Sequence, residues 1–281
     1  MYNTFLHNTT PFNQAETYLK PETPISLVLF NSFSMQSTSV ICTNLIDSAP
    51  SRDILSGDIP RADGQYVTAD YFREKTIVVE GYLVTETAPE MTALMDSMRK
   101  NLLEREGELI ITRHEDVDTR RVYKATLSNY DTLFAKRKGY DITHVPFSAV
   151  FSCMEPFGKA ARYTTSTTTT SADPANLDFE NIGTIEAMPI ISMQFTADDS
   201  ITAFTVTNTD TGESITYTGA LVNTDVLKID GEAMTIELND VEVDYSGTFP
   251  DLAVGVSTLS FILTGTSYSA DITVKFKPRY L

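Results

Sequence analysis

The chain divides at residues 164–171, TTSTTTTS, a stretch with no apolar and no charged side chain. A segment of this composition cannot bury enough surface to offset the entropy lost on ordering, which is typical of a linker. The flanks differ in charge: residues 1–163 hold 21 acidic and 17 basic side chains, and residues 164–281 hold 17 acidic and 4 basic ones, out of 38 acidic and 21 basic in all. We predict two domains, at residues 1–163 and 176–281, joined by a Thr/Ser-rich linker at residues 164–175.

The overall composition is typical of a folded protein and argues against tight binding to nucleic acid. Hydrophobic residues make up 42% of the chain and aromatic residues 10%, while the net charge of −17 repels phosphate backbones. The same repulsion would keep DNA mobile along a channel wall. The longest apolar run, LVLF at residues 27–30, is too short for a membrane span, and residues 1–5 lack the pattern of a signal peptide. We therefore expect the product to stay in the cell that makes it until lysis.

The N-terminal domain is predicted to be mostly β with one helix. The first 24 residues are polar and proline-punctuated, which favours an extended arm. Strands are predicted at residues 25–30, 35–44, 71–85, 108–113, 121–130 and 140–154. Residues 51–68 are rich in Gly, Pro and Asp and are predicted to form a long loop, and residues 136–139 a basic turn. The result is an α+β arrangement.

The helix of this domain has clear boundary signals. Thr87 and Glu90 have the spacing of a capping box, and Gly107 is placed as a left-handed stop. One apolar stripe faces the core, formed by Met91, Leu94, Met95, Met98 and Leu102.

The C-terminal domain is predicted to be all β. Short strands recur at the spacing of a sandwich, at residues 177–182, 188–196, 201–207, 213–218, 226–230, 233–238, 241–245, 258–264 and 268–277. Eight or nine such strands fit a two-sheet jelly roll.

The sequence offers no constellation of residues that carries chemistry. The three histidines, His7, His114 and His144, are not at metal spacing, and Cys42 and Cys153 add no ligand cluster. Whether these two cysteines meet stays open; the simpler interpretation is two free thiols. No nucleophile elbow and no phosphate-binding glycine loop is present. We predict no catalytic residue, no cofactor, no metal site and no enzymatic activity.

Several carboxylate groups and one turn fit structural roles better than catalytic or metal-binding ones. Asp116 with Asp118, and the group Asp240, Glu242 and Asp244, fit solvated turns and strand faces better than a glycosidase pair. Residues 208–212, NTDTG, lack the distal Glu of a calcium loop and are predicted to be a hairpin turn. His144 is predicted to be an ordinary strand residue.

The order of motifs resembles the phage distal tail proteins, the siphovirus-type tail component family. The N-terminal resemblance lies in IPRADG at residues 59–64, the capped helix, EGEL at 106–109, RVYKA at 121–125 and VPFSAVFSCMEPFG at 145–158. The C-terminal resemblance lies in NIGTIEAMPII at 181–191, the turn at 208–212, VLKID at 226–230 and DITVKFKPRYL at 271–281. The chain departs from the pattern at residues 265–267, GTS, where an Asn often stands two residues after the Gly.

This resemblance implies a virion structural protein. Family members form a hexameric ring, a baseplate hub that joins the tail tube to the tail tip and lets DNA pass, with a jelly-roll or galectin-like sandwich projecting outward. The implied partners are further copies of the chain, the tail tube protein and a tail tip or hub protein, in a virion tail assembled in the host cytoplasm. The loop at residues 51–68 is a candidate for reaching the adjacent subunit, with a free solvent loop as the alternative.

A second hypothesis is a carbohydrate-binding protein whose sandwich recognises host cell-wall glycans. Its candidate stacking residues are Tyr217, Tyr245 and Tyr268. Tryptophan, the best platform for sugar stacking, is absent from the chain, and ordinary strand packing is the alternative role of each tyrosine.

Overall fold

The computed structural model describes residues 27–59, 63–103, 106–112, 119–132, 143–171, 174–196, 201–265 and 269–281. Several predictions lie outside these ranges: the extended arm, the basic turn at residues 136–139, the Asp116 and Asp118 pair, His7, His114, and most of the turn at residues 265–267. Across the described ranges, none of the helices has both the length and the apolar character that crossing a membrane requires.

Within the described ranges, the N-terminal domain consists of one large antiparallel sheet, one helix and a separate two-stranded sheet. Its elements in chain order are β1 Leu27–Phe30, β2 Phe33–Ser34, β3 Val40–Asp47, β4 Arg52–Asp58, β5 Gln65–Phe72, β6 Lys75–Val84, α1 Ala88–Leu102, β7 Gly107–Thr112, β8 Arg120–Thr132, β9 His144–Cys153 and β10 Gly158–Ala160. The strand order is β2-β1-β7-β8-β9-β6-β3, and β10 pairs with β8. Burial alternates along β6 and β9, as expected when one face of a sheet covers the core.

Helix α1 confirms the predicted start and stripe. The Thr87 side chain accepts from the Glu90 amide, and the Glu90 side chain accepts from the Thr87 amide, which completes the capping box. Three residues of the stripe are buried and two are partly buried against the same core. The predicted stop is wrong: the helix ends at Leu102 with Leu103 as its C-cap, and Gly107 begins β7. A Cβ on Gly107 would lie 2.1 Å from Oδ1 of Asn31, so this glycine provides space for a close approach.

The core of this domain lies between the inner face of the sheet and α1. Its largest side chains are Phe30, Tyr123, Phe147 and Phe151. It also encloses an ion pair, with Nζ of the buried Lys75 lying 2.7 Å from Oδ1 of Asp47.

Both cysteines are buried and free. Burial raises the pKa of each thiol to about 11, because desolvation penalises the thiolate.

The C-terminal domain is the predicted two-sheet sandwich. Its strands are β11 Thr164–Thr170, β12 Ala175–Asn181, β13 Ile190–Phe195, β14 Ile201–Asn208, β15 Ser214–Leu221, β16 Val226–Asp230, β17 Thr235–Leu238, β18 Val241–Glu242, β19 Ser246–Gly247, β20 Gly255–Thr264 and β21 Ala270–Phe276. The last strand, β22 Arg279–Tyr280, pairs with β10 of the N-terminal sheet. One sheet has the order β11-β21-β13-β16-β17-β18 and the other β12-β20-β14-β15-β19. Their inner faces share a second core, whose largest side chains are Phe195, Phe204, Phe261 and Phe276.

The expectation of a linker is wrong for Thr164–Thr170. These residues form β11 and pair along their full length with β21, from Thr164 opposite Phe276 to Thr170 opposite Ala270. β-Branched threonine favours extended backbone, and an edge strand gains its hydrogen bonds from its neighbour without needing apolar side chains of its own. The polar composition of residues 164–170 therefore predicts a flexible linker at a place where the structure has a strand of the sandwich.

Two further predictions in the N-terminal domain are corrected. The strand predicted at residues 71–85 is two strands, β5 and β6, separated by Arg73 and Glu74. The loop predicted at residues 51–68 is largely the β4–β5 hairpin, because its Gly, Pro and Asp residues are concentrated near the tip while β-branched and aromatic residues occupy the arms.

Candidate assembly interface

The β4–β5 hairpin stands apart from the other sheets. Its two strands form a separate two-stranded sheet, from Arg52 opposite Phe72 to Asp58 opposite Gln65, with an irregularity after Leu55. Isolated two-stranded hairpins are marginal in water, so an arm of this length is best stabilised by contacts with another molecule.

The hairpin exposes apolar side chains on both faces. Its register and the period of two place Leu55, Tyr66 and Tyr71 on one face, where they are 49%, 54% and 46% exposed. Ile54 and Val67 are more than half exposed on the other face. So many large apolar groups on one protruding element are typical of a protein contact surface.

A cluster of ion pairs and aromatic rings fixes the root of the hairpin. Arg52 binds Asp70 through two side-chain hydrogen bonds, one of them 2.6 Å long, and its guanidinium lies 5.5 Å from the ring centre of Phe72. Arg73 binds Asp53 in the same way, and this hydrogen bond lowers the pKa of the Asp53 carboxyl. These contacts therefore fasten the two arms of the hairpin to each other at its root.

The outer face of the N-terminal sheet is the second surface of interest. Cross-strand pairing aligns Ile41 with Tyr82 and then Pro146, and Ile46 with Val78 and then Val150. Between these apolar rows lies a polar row in which the Asn44 side chain donates to Glu80 over 2.9 Å. The outward positions of β3, β6 and β9 hold no Lys or Arg, so this part of the face offers no Lys or Arg side chain to bind a phosphate.

Of the tyrosines proposed for glycan binding, the two that the structure describes, Tyr217 and Tyr245, do not form a stacking platform. Tyr217 is 7% exposed and belongs to the sandwich core. Tyr245 packs edge-to-face on Phe249 at 5.0 Å and donates its hydroxyl to the Met234 carbonyl. Tyr268 lies outside the described residues. The geometry gives these residues packing roles where it describes them.

Several other candidate residues lie within the described ranges. His144 begins β9, and Asp240, Glu242 and Asp244 are exposed around β18. Residues 208–212 form a hairpin turn, in which the side-chain oxygen of Asn208 accepts from the Asp210 amide. Within the described ranges, no three His, Cys, Asp or Glu side chains are grouped so that they could hold a metal ion.

Comparisons with known proteins agree with the architecture. Residues 182–280 match the family model described as siphovirus-type tail component, C-terminal domain. The crystal structure of the SPP1 Dit (gp 19.1) protein, described as a paradigm of hub adsorption apparatus in Gram-positive infecting phages, aligns with a TM-score of 0.68 at 14% identity and covers 91% of this chain and 99% of its own. The phage P2 baseplate in its activated conformation with Ca aligns at 9% identity with a TM-score of 0.42, covering 89% of this chain and 97% of that chain. A search of curated proteins gives no match.

The resemblance to the distal tail proteins is confirmed by two independent findings. The family model covers most of the sandwich, and the alignment with the SPP1 protein spans 91% of this chain with a TM-score of 0.68, so both domains take part in the shared fold. The chain has the fold of the SPP1 Dit protein, and its residues 182–280 match the model of the siphovirus-type tail component family.

Proposed function

We propose that this chain is a non-enzymatic structural component of a phage tail, whose N-terminal domains close into a ring between the tail tube and the tail tip or baseplate. The family of the C-terminal domain and the fold of the whole chain support this proposal. We further propose that the ring is a hexamer, that it assembles in the host cytoplasm and stays in the virion, and that its neighbours are the tail tube protein and a tail tip or hub protein.

The β4–β5 hairpin is the observation that carries the proposal. A ring requires heterologous contacts, in which one patch of each subunit meets a different patch of the next. The hairpin supplies such a patch, because Leu55, Tyr66 and Tyr71 project from an arm that has no partner sheet within the described part of the chain.

The outer face of β3, β6 and β9 is proposed to line the hole of the ring. DNA passing through a tail must not adhere to the wall, and Lys or Arg side chains would bind its phosphates. Glu80 and neutral side chains occupy this face instead. A density map of the ring with basic side chains along the lumen would remove this part of the proposal.

The hairpin is tested by a single charged substitution. Leu55→Asp should convert rings into monomers in native mass spectrometry, because an unpaired carboxylate would be buried in the contact. The matched control is Val241→Asp, since Val241 is 65% exposed and lies at the edge of the sandwich, away from the hairpin. Equal assembly of the two variants would contradict a hairpin-mediated ring.

A further inference from the structure

The two domains are connected by two strands that run side by side. Residues 158–160 pair with β22, and a few residues later β11 pairs with β21, so one antiparallel ribbon crosses the boundary. The ribbon is irregular only at the crossing, where residues 161–163 face residues 277–278, and even there the Ala160 amide donates to the Pro278 carbonyl over 2.9 Å. A two-stranded ribbon is much stiffer than a single polar tether.

Strand β22 contacts both domains through its backbone. On one side, Lys159 pairs with Arg279 within the sheet of the N-terminal domain. On the other side, the Thr184 amide of the sandwich donates to the Arg279 carbonyl over 2.9 Å, and Ile185 forms a bridge with the same residue.

The side chains of β22 extend this contact onto the N-terminal domain. The Arg279 guanidinium lies 4.6 Å from the ring centre of Phe157, and the Arg121 guanidinium lies 3.2 Å from the ring centre of Tyr280. Cation–aromatic stacking of this kind adds to the backbone bonds of a short strand.

An ion pair lies beside the ribbon. Nζ of Lys159 is 3.2 Å from Oε2 of Glu232 in the sandwich and 3.1 Å from Oε1 of Glu155 in its own domain. Burial lowers the pKa of Lys159, but the hydrogen bonds and charges of the two glutamates outweigh burial and leave this pKa raised. Lys159 therefore stays protonated and ties the domains across a cleft of about 400 Å³.

The two hydrophobic cores share no residue. The core of the N-terminal domain lies within residues 28–153, and the core of the sandwich lies within residues 179–276. Neither core contains a residue of β22, so loss of this strand should leave both folded.

We propose that β22, together with the Lys159–Glu232 ion pair, is a clasp that fixes the direction of the sandwich relative to the N-terminal domain. The clasp lies at the root of the hairpin, since Phe157 contacts both Arg279 and Phe72. Contacts made by the hairpin can therefore be transmitted to the orientation of the sandwich. The proposal concerns one chain and does not depend on ring formation.

The test is a distance measurement between two spin labels on the full chain. Cysteines replace the exposed Ala93 of α1 and Ala220 of β15, and the unsubstituted chain, whose own two cysteines are buried, serves as the labelling control. The clasp variant carries Arg279→Pro and Tyr280→Pro, which remove the side chains of β22 and its backbone N–H donors. The matched control carries Val241→Pro and Glu242→Pro in β18, a strand of equal length at the outer edge of the sandwich.

If the clasp fixes the domains, the parent and the β18 control should each show one narrow distance distribution. The clasp variant should show a distribution about twofold broader, because only the single chain at residues 161–163 then connects its domains. Glu232→Gln should broaden it less, and Glu106→Gln, which removes an ion pair with Lys124 inside one domain, should not broaden it. A distribution in the clasp variant as narrow as that of the parent would overturn the proposal. Loss of far-UV circular dichroism in the clasp variant would also overturn it, since β22 would then belong to a core.

Discussion

The ring of Phe157 packs edge-to-face against the ring of Phe72, with the two centroids 5.6 Å apart. Phe72 ends the hairpin, and Phe157 lies just before β10, so this one contact joins the proposed subunit arm to the boundary between the domains. Edge-to-face geometry is the favourable arrangement for two aromatic quadrupoles.

Replacing Phe157 by Ala should destabilise the root of the hairpin. The change removes the ring contact with Phe72 and the stacking of Arg279, which together should lower the free energy of unfolding by about 1–2 kcal/mol. Trypsin should then cut faster after Arg52 and Arg73. Phe157→Tyr, which keeps the ring, is the control, and identical cleavage rates for the Ala and Tyr variants would refute the role assigned to this contact.

Breaking the buried ion pair between Lys75 and Asp47 should lower the free energy of unfolding strongly, whereas replacing both residues by apolar ones should lower it much less. Lys75→Met leaves the Asp47 carboxylate without its cation, and it should cost about 3–5 kcal/mol. The double variant Lys75→Met with Asp47→Leu should recover most of this loss, because two apolar groups need no partner. Urea unfolding of the single and double variants measures both values; a double variant no more stable than the single one would contradict the argument.

Stability should fall as the pH rises from about 9 to about 11. The thiols of Cys42 and Cys153 ionise near their ordinary value of 9.0 when unfolded, but burial raises the folded pKa to about 11. In this interval the unfolded chain binds fewer protons than the folded chain, so each unit of pH favours unfolding. The stabilisation is fully present below pH 9. The variant with Ala at both positions should show a shallower decline in denaturant titrations, and an unchanged slope would exclude the thiols as its cause.

The amides of Thr164–Thr170 should exchange slowly with deuterated solvent. Pairing with β21 protects alternate N–H groups of this edge strand, whereas a free linker exchanges at the rate of an unfolded peptide. Mass spectrometry of a peptide covering these residues should show several slow amides. Complete exchange at the rate of an unfolded peptide would restore the linker that the composition suggested.

Local patterns predicted much of this fold correctly. The helix and its capping box follow from residues close together in sequence, and nine of the eleven sandwich strands follow from alternation and turn residues; β11 and β19 were not predicted. The predictions that were wrong concern residues whose structure depends on partners distant in the sequence. Polar Thr164–Thr170 becomes a strand only because β21 lies beside it, and Arg279 belongs to two domains through contacts with residues more than ninety positions earlier.

The hairpin of the candidate interface was missed for the same reason, because it depends on strand pairing that the local sequence does not show. The apolar pairs Ile54-Leu55 and Tyr66-Val67 are visible in the sequence, but the glycines and prolines around them favour a loop. Only the paired register shows that these residues are displayed on an arm. The ring, by contrast, was implied by the resemblance to the family rather than by any local pattern.

Electron microscopy of the full chain, alone and mixed with tail tube and tail tip proteins, tests the central claim most directly. Closed rings with a central hole, their N-terminal domains joined through the hairpins and the outer face of β3, β6 and β9 on the lumen, are the predicted result. Monomers in every mixture would contradict the account.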